Sequence, residues 1–432
     1  GDVYKRQYLC NTMKLFITSQ IRQLDAITIE REPIASIDLM ERAAYELSLW
    51  VAACFPSVTP LLIFAGPGNN GGDGAAMARI LSDWGFNITL FVLSSRSGCS
   101  PDMEVNLHRL EDQGRAPVKR IEQGDDLPFI PHDSLVIDAL FGSGLTRPVE
   151  GLAAHLITHI NSSGARVIAV DIPSGLFGEE NPCPNPNPVI KATDTLTLQF
   201  PKLAFFFAEN NEYVGAWHVI PIGLNADAID QTPTPYTFVE EDEACEWIPT
   251  RGRFQHKGHF GHCLIVAGSK GMMGAAVLAT RACLRSGAGL VTVHVPGIGY
   301  TIMQQSAPEA MVSIDPHDAN FTEAPDLKPY SAIGIGPGLG QCPESLRALQ
   351  HLISTAHCPM VLDADALNLM AGVEGLPQQL PQGTILTPHP GEFRRLFGEV
   401  GNEFQQLQIA MRQAKRLVVT IVLKGALSLI HI

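Results

Sequence analysis

The sequence predicts an α/β protein of two domains, in each of which helices cover both faces of a mostly parallel sheet. Short apolar segments alternate with helical patterns along most of the chain, which is typical of parallel strands buried on both sides. At 432 residues the chain is too long for one hydrophobic core. A polar and acidic stretch at residues 229–246 lies between the two halves, and we predict that it is a linker.

The composition is that of a globular protein, with 45% hydrophobic and 17% charged residues. A formal net charge of −14 argues against sequence-independent binding to nucleic acid. The nine cysteines are scattered and form no C-x-x-C motif, which indicates reduced thiols in a cytoplasmic protein without a zinc site. No apolar run approaches the roughly 18 residues that span a bilayer.

The two ends of the chain do not resemble the rest of the protein. Residues 1–7 and 427–432 resemble translated sequencing adaptors, and we expect both to be non-native. Met13 is then the expected native start, and the native C-terminus is expected to be missing.

A glycine-rich segment at residues 66–74 follows the apolar strand at residues 61–65 and precedes a helical pattern. This order presents backbone N–H groups and a positive helix end to a ligand. The glycines satisfy G-x-G-x-x-G, but Asp73 would repel a second anion. The next strand, residues 86–93, also lacks the terminal carboxylate of a dinucleotide-binding fold. Hydroxyls, amides or a metal ion suit this segment at least as well as a pyrophosphate.

Two later strands of the same half end in aspartates, Asp138 and Asp171. One such aspartate is often only a helix cap. Because ligands bind beyond the carboxyl ends of parallel strands, two of them should meet the glycine segment in a shared site. Amide, carboxylate and hydroxyl oxygens are hard ligands, so an ion held there would be an alkali or alkaline-earth cation.

Three motifs together resemble the YjeF-type NAD(P)H-hydrate epimerase domain: G-P-G-N-N-G-G-D-G, V-I-D-A-L-F-G-S-G-L-T-R-P and A-V-D-I-P-S-G. The resemblance implies a Rossmann-like three-layer α/β/α domain, predicted over residues 13–228, that interconverts the R and S hydrates of NADH and NADPH. It implies hydrate contacts from Asn69, Asn70, Gly71, Gly72, Asp73, Gly142, Ser143, Gly144, Leu145, Thr146, Arg147, Pro148 and Asp171. It also implies a potassium ion bound by Asn70, Asp138 and Ser174.

Epimerisation requires acid–base groups, since the hydroxyl-bearing carbon must lose and regain its configuration. Asp171 is the first candidate and Lys202, which follows a strand, is the second. As an unassisted surface lysine, Lys202 could equally have no role.

The second half carries four further strand-end motifs: G-S-K-G-M-M-G-A, G-I-G-P-G-L-G, D-A-D-A-L-N and T-P-H-P-G-E-F. Each alone could be an ordinary turn between a strand and a helix. Together they resemble the ADP- or ATP-dependent NAD(P)H-hydrate dehydratase, a ribokinase-like domain predicted here over residues 247–426. The resemblance implies a hydrate site at Ala275, Gly338 and His389 with Gly336 and Glu392 nearby, and a nucleotide-binding loop that begins at Lys424, Gly425 and Ala426. ADP or ATP with Mg²⁺ is the implied cofactor.

The end of the chain departs from this family. A G-S-G-D-type loop normally supplies the anion hole and the catalytic base, and no such motif follows Lys424. An anion-hole donor contributes about 10²–10³ in rate and a general base about 10²–10⁴. We therefore expect dehydration to be lost in this chain.

The resulting hypothesis is a bifunctional repair enzyme for hydrated nicotinamide cofactors. One alternative is a ribokinase-like kinase of a vitamin precursor or sugar, and another is a non-catalytic YjeF-type dimerisation module. A module without activity could lose Asn70, Asp138, Asp171 and Ser174, and this chain keeps all four. We expect a small-molecule substrate, no nucleic-acid or membrane partner, and a homo-oligomer. The preferences between NADH and NADPH hydrates and between ADP and ATP stay open.

Overall fold

Strands and helices alternate through a chain that divides into two units, Gly1–Ile248 and Pro249–Ile432. The computed structural model describes residues 13–95, 98–122, 124, 126–425 and 429–431. Each unit has its own sheet, as predicted. Within the described ranges no helix is both long and apolar enough to cross a bilayer.

The first unit contains a seven-stranded parallel sheet and a separate two-stranded one. Its strands are β1 (Met13–Leu15), β2 (Leu61–Ala65), β3 (Ile88–Leu93), β4 (Val118–Ile121), β5 (Leu135–Ala139), β6 (Arg166–Val170), β7 (Asp194–Leu198), β8 (Ala216–Ile220) and β9 (Tyr236–Phe238). The order of the large sheet is β4-β3-β2-β5-β6-β7-β8. From β2 the chain moves outward to β3 and β4 and then returns to β5, so the ends of β2 and β5 form the switch point at which ligands bind.

Helices cover both faces of this sheet. They are α1 (Thr18–Arg31), α2 (Ser36–Cys54), α3 (Asn69–Asp83), α4 (Pro101–Gln113), α5 (Gly151–Ser162), α6 (Asn211–Val214), α7 (Ala226–Gln231) and α8 (Glu241–Glu246), with 3₁₀ turns at Leu203–Phe206 and Ala208–Asn210. Alternate strand residues face two different apolar clusters: Ile63 and Ile137 pack towards α2, α3 and α4, whereas Phe64 and Val136 pack towards α5. The predicted three-layer Rossmann-like arrangement is confirmed.

The predicted linker at residues 229–246 differs from the structure. β9 pairs antiparallel with β1, with Met13 opposite Phe238, and α7 and α8 occupy much of the remainder. The Phe238 ring also packs 5.3 Å from the Phe206 ring, measured between centroids. The prolines and acidic residues around β9 do not predict a strand, although its two aromatic residues favour one. Because β9 pairs with β1, this segment belongs to the first unit, which extends to Ile248.

The second unit is built on an eight-stranded sheet. Its strands are β10 (His262–Val266), β11 (Leu290–Val295), β12 (Met311–Ile314), β13 (Ala332–Ile335), β14 (Met360–Leu362), β15 (Ile385–Leu386), β16 (Thr420–Leu423) and β17 (Leu429–His431). The order is β12-β11-β10-β13-β14-β15-β16-β17, and each neighbouring pair is parallel except the last, which is antiparallel.

The helices of this unit again lie against both faces of the sheet. They are α9 (Met273–Arg285), α10 (Gly299–Ser306), α11 (Pro343–Thr355), α12 (Asp365–Ala371), α13 (Pro390–Phe397) and α14 (Glu403–Leu417), with 3₁₀ turns at Lys257–Phe260 and Pro377–Gln379. One apolar cluster includes Leu264, Leu349 and Phe393, and the other includes Ile265, Val293 and Met303. The predicted α/β class of this unit, a mostly parallel sheet with helices on both faces, is confirmed.

The segments expected to be non-native fall only partly within the described residues. Residues 1–7, 427, 428 and 432 lie outside them. Residues 429–431 form β17, which pairs with β16 and so continues the sheet of the second unit.

Candidate functional site

The glycine-rich segment of the first unit is mostly helix and not loop. β2 ends at Ala65, Gly68 caps the helix, and α3 begins at Asn69, six residues before the predicted start. A Cβ on Gly71 would lie 1.8 Å from the carbonyl oxygen of Gly66, and one on Gly74 would lie 2.6 Å from the Ala139 Cβ. The glycines therefore allow α3 to pack directly on the strand ends, which brings Asn70 and Asp73 to the switch point.

Asp138, near the end of β5, is fully buried and is hydrogen-bonded to Ser174. Its Oδ1 accepts from Ser174 Oγ at 2.6 Å and from Leu140 N at 3.2 Å, while Oδ2 accepts from Ser174 N at 2.8 Å. Burial raises the pKa of Asp138 to about 6, although these hydrogen bonds lower it in part. The ion pairs of the described residues include none to Asp138, so its charge is buried without a protein cation.

Asn70 joins this pair through the turn at residues 141–142. Phe141 N donates to Ser174 Oγ at 2.8 Å, and a Cβ on Gly142 would lie 3.2 Å from Asn70 Oδ1. Asn70 Nδ2 is buried, and no hydrogen-bond partner for it occurs in the described part of the chain. The three predicted potassium ligands are thus brought together. Their carboxylate, hydroxyl and amide oxygens fit a hard monovalent cation, which would offset the buried charge of Asp138.

Asp171 and Lys202 form a buried ion pair beside these residues. Lys202 Nζ lies 2.6 Å from Asp171 Oδ1, and the side chains are 2% and 10% exposed. Lys202 Nζ also donates to Thr197 Oγ1 at 3.0 Å and to the Phe200 carbonyl at 3.2 Å, while Ser143 N donates to Asp171 Oδ2 at 3.2 Å. Burial raises the pKa of Asp171, but Lys202 and Ser143 outweigh it and leave the pKa below its usual value.

Two more aspartates, Asp73 and Asp25, interact electrostatically with this ion pair. Asp73 in the first turns of α3 is buried, and burial raises its pKa well above the usual value, as do the charges of Asp171, Asp25 and Asp102. Asp25 in α1 is half-buried, and burial together with Asp171 raises its pKa to about 6, while Lys202 lowers it in part. Sequence reasoning missed Asp25, because no strand-end motif marks it and α1 reaches the site from elsewhere in the fold.

The remaining predicted hydrate residues of the first unit differ in exposure and in the elements that they contact. Asn69 is exposed, whereas Gly71 and Gly72 are buried; a Cβ on Gly72 would lie 2.7 Å from Met40 Sδ, so that glycine faces α2. Gly144 lies beside the Arg22 guanidinium, and Leu145 packs on the apolar cluster under α5. The other members of this segment are exposed: Thr146, Arg147 and Pro148.

In the second unit the loops after β10 and β13 pack closely on each other. Gly336 and Gly338 have φ values of 129° and 64°, which favour glycine. A Cβ on Gly336 would lie 1.8 Å from the Asp363 carbonyl oxygen, and one on Gly338 would lie 2.9 Å from the Ala275 Cβ. Ser269 Oγ also donates to the Gly338 carbonyl at 2.9 Å. The predicted hydrate residues Ala275, Gly336 and Gly338 are therefore neighbours.

His389 caps α13, and Glu392 fixes it there. Gly391 N donates to His389 Nδ1 at 3.0 Å, and His389 N donates to Glu392 Oε2 at 2.9 Å. His389 Nε2 lies 3.2 Å from the buried Glu392 Oε1, while half of the imidazole stays exposed. The ordinary turn between a strand and a helix is thus present, and the same geometry holds the imidazole in one orientation at a strand end.

Lys424 links the ends of three neighbouring strands. Its Nζ forms an ion pair with Asp363 Oδ1 after β14, and its backbone N donates to the Pro388 carbonyl after β15 at 3.2 Å. Gly425 is exposed and Ala426 lies outside the described residues. Asp365, the other aspartate of this motif, accepts from Gly340 N at 2.9 Å. Lys424 and His389 thus lie at one edge of the sheet with the glycine loops.

Two family models match the chain, one in each half. The model of YjeF-related protein N-termini matches residues 36–204, and the model described as NAD(P)H-hydrate dehydratase matches residues 263–431. The second match runs through residue 431, and none of the comparisons supports the expected loss of dehydration, so we do not retain that expectation.

Curated relatives match across both halves. A bifunctional NAD(P)H-hydrate repair enzyme of Moorella thermoacetica is 32% identical over 435 residues, covering 97% of this chain and 82% of the relative. That of Escherichia coli K12 is 33% identical over 394 residues, covering 90% and 73%. A solved Bacillus subtilis ADP/ATP-dependent NAD(P)H-hydrate dehydratase, co-crystallised with ATP and Mg²⁺, is 36% identical over 44% of this chain and 68% of its own, with a TM-score of 0.37.

Proposed function

Because this chain belongs to the family of bifunctional NAD(P)H-hydrate repair enzymes, we propose that its first unit epimerises the hydrated cofactor and its second unit dehydrates it. The substrates are then the R and S hydrates of NADH and NADPH. The product is the reduced cofactor with its nicotinamide ring restored.

The buried Asp171–Lys202 ion pair beside Asp138 and Ser174 is the observation that supports an active first unit most strongly. Removing charged groups from water costs several kcal/mol per ion, as an order of magnitude. A module that served only for dimerisation would gain nothing from burying two aspartates and a lysine at the switch point. This arrangement favours the epimerase over the non-catalytic alternative.

Asp171 is the proposed base of the epimerisation. Its lowered pKa keeps the carboxylate ionised at neutral pH, so that it can accept a proton from the hydrate hydroxyl. Lys202 directs its three N–H donors to Asp171, Thr197 and Phe200, which makes it a positioning residue.

Asn70, Asp138 and Ser174 would hold the potassium ion. The ion would supply a fixed positive charge next to the buried Asp138 carboxylate. Ser174 Oγ accepts from Phe141 N, so these residues also fix the turn that leads to Gly142 and Ser143. The same turn supplies the Ser143 N–H group, which donates to Asp171.

The second unit is proposed to dehydrate the S hydrate with ADP or ATP and Mg²⁺. Hydroxide is a poor leaving group, so the hydroxyl is first phosphorylated and phosphate is then eliminated. Ala275, Gly338 and His389 would contact the hydrate, with Gly336 and Glu392 behind them. Lys424, Gly425 and Ala426 would approach the nucleotide phosphates, and the link from Lys424 to Asp363 supports a charged site at these strand ends.

Small molecules are the only partners that this function requires. The acidic chain gives no support to nucleic-acid binding, and the scattered cysteines support a cytoplasmic location. Homo-oligomerisation stays a prediction.

Incubation of the pure R hydrate of NADPH with the full chain tests the epimerase. Chromatography of the epimers should show the S hydrate appearing far faster than in buffer alone. An unchanged R hydrate would reject this function. With the S hydrate and a nucleotide, a stable phosphorylated product without return of reduced cofactor would favour the kinase alternative.

A further inference from the structure

Epimerisation by ring opening needs a proton donor that Asp171 and Lys202 do not provide. In this route the hydroxyl-bearing carbon loses its configuration because its bond to the ring nitrogen breaks and the hydroxyl becomes an aldehyde. One group must take the hydroxyl proton and another must give a proton to the nitrogen. Asp171 can take the proton as a carboxylate, but the three N–H donors of Lys202 are all directed to protein acceptors. A further acid must therefore face the hydrate.

One face of α1 lies against the loops of the first unit's site. Thr18 Oγ1 donates to Glu179 Oε1 at 2.8 Å, after the Ser174 turn. Arg22 follows Thr18 by one helical turn and lies beside the loop that contains Gly144. A Cβ on Gly144 would lie 3.0 Å from Arg22 Nη2. On a helix, a residue lies on the same face as the residues four and seven positions after it. Asp25 therefore follows Thr18 and Arg22 on the face that contacts both loops.

The surroundings of Asp25 agree with this placement. Its side chain is half-buried, and the charges of Asp171 and Lys202 both act on its pKa, which burial raises to about 6. Asp25 in turn raises the pKa of Asp73 on α3. The carboxyl thus interacts with Asp171, Lys202 and Asp73, although it belongs to none of the strand-end motifs.

We propose that Asp25 is the proton donor of the epimerisation, an assignment that rests on the epimerase function proposed above. Asp171 takes the hydroxyl proton, the O–H electron pair forms the carbonyl, and the C–N electron pair passes to the ring nitrogen, which receives the proton of Asp25. The open-chain aldehyde then rotates about the adjacent C–C bond. On closure the nitrogen attacks the other carbonyl face, its proton returns to Asp25, and Asp171 returns its proton to the oxygen. Protons and electrons balance without any further reactant.

Asp73 is the competing carboxyl, and its environment suits another role. The proton donor must release its proton readily to the nitrogen, and a carboxyl with a higher pKa is a weaker acid. The pKa of Asp25, about 6, meets this condition, whereas burial holds the pKa of Asp73 well above the usual range. Asp73 is then a neutral hydrogen-bond donor that orients the hydrate, and Asp25 exchanges the proton.

The test compares Asp25→Asn, Asp25→Glu and wild type in the full chain, with Glu30→Gln on the exposed side of α1 as the matched control. The probe is the pure R hydrate of NADPH, and the readouts are initial epimerisation rates from pH 5 to 8 and the Kd of the hydrate. We expect Asp25→Asn to lower the rate about 10²–10⁴-fold with Kd changed less than about threefold. Asp25→Glu should recover part of the rate, and Glu30→Gln should match wild type.

The pH profile separates proton donation from a merely structural role. The wild-type rate should fall as pH rises above about 6, since Asp25 must carry its proton when the cyclic hydrate binds. Asp25→Asn should lack this decline. An Asn variant within threefold of wild type, or one that loses hydrate binding together with turnover, would overturn the assignment. A wild-type chain that leaves the R hydrate unchanged would instead overturn the epimerase function, and the assignment with it.

Discussion

Lys202 Nζ lies 2.6 Å from Asp171 Oδ1, and neither side chain is more than 10% exposed. Burial of both charges makes the pair costly to break, because the remaining partner would be a buried and uncompensated ion. The same pair sets the charge of the proposed base, since Lys202 keeps the pKa of Asp171 low in spite of its burial. Stability and activity of the first unit should therefore respond together to changes at either residue.

Lys202→Met should destabilise the first unit by about 3–5 kcal/mol and remove epimerisation, because it leaves Asp171 buried without its cation. Lys191→Met is the matched control: Lys191 pairs with Glu212 at 2.6 Å, but both side chains are more than half exposed, so its loss should cost less than about 1 kcal/mol. Denaturation followed by tryptophan fluorescence reports the first unit alone, since Trp50, Trp84, Trp217 and Trp247 all lie in it. Equal destabilisation by the two substitutions would contradict the importance of burial.

Asp171→Asn should abolish epimerisation and also lower the stability of the first unit, because Lys202 loses its buried counter-ion, while the unit still folds. The amide has the shape of the carboxylate but cannot accept a proton at neutral pH. The S hydrate offers an internal control, because its nucleotide-dependent dehydration by the second unit should persist in the variant. Epimerisation near the wild-type rate would assign the base to another group.

Ser174→Ala should weaken epimerisation in a way that added potassium partly restores. The substitution removes a proposed ligand together with the hydrogen bond to Asp138, so the potassium concentration for half-maximal activity should rise at least about tenfold. Ser162→Ala, at an exposed position of α5, should leave that concentration unchanged. Activity independent of potassium in wild type and variant alike would remove the ion from the account.

Asp73→Asn should stabilise the first unit at neutral pH by about 0.5–2 kcal/mol, the size usual for a favourable single replacement. Burial raises the folded-state pKa of Asp73 above its unfolded value, so its contribution to stability is full below the unfolded pKa and is lost as pH rises through the folded one. Asparagine does not titrate, so the stability difference from wild type should grow as pH rises.

The same fluorescence-detected unfolding, repeated at several pH values, measures that difference. Asp133→Asn, on an exposed turn, is the control and should show none. A difference that stayed constant with pH would mean that Asp73 titrates normally in the folded protein.

The strand-end motifs were predictable because each is local. A strand, a turn and its polar residue lie within a dozen positions, and parallel strands bring such ends to one edge whatever the rest of the chain does. Asp138, Asp171 and the Asn70 segment therefore meet as predicted. In the second unit, Gly338 and Lys424 reach the expected edge for the same reason.

Long-range approaches were not predictable in this way. Asp25 reaches the site because α1 packs across loops that lie far along the chain, and nothing near Asp25 indicates it. Lys202 could have been a free surface lysine, and only the fold brings it next to the distant Asp171, its ion-pair partner. The pairing of β9 with β1 likewise joins segments more than 200 residues apart, between which no local pattern specifies a contact.

The most direct test of the whole account is repair of the pure R hydrate of NADPH by the single chain, with ADP or ATP, Mg²⁺ and potassium present. Since the second unit is proposed to act on the S hydrate, the absorbance of reduced cofactor should return fully only if both units work. We predict complete return with wild type, and with Asp171→Asn a return limited to the slow spontaneous epimerisation while the S hydrate is still consumed rapidly. A wild-type chain that restores neither hydrate would contradict the account.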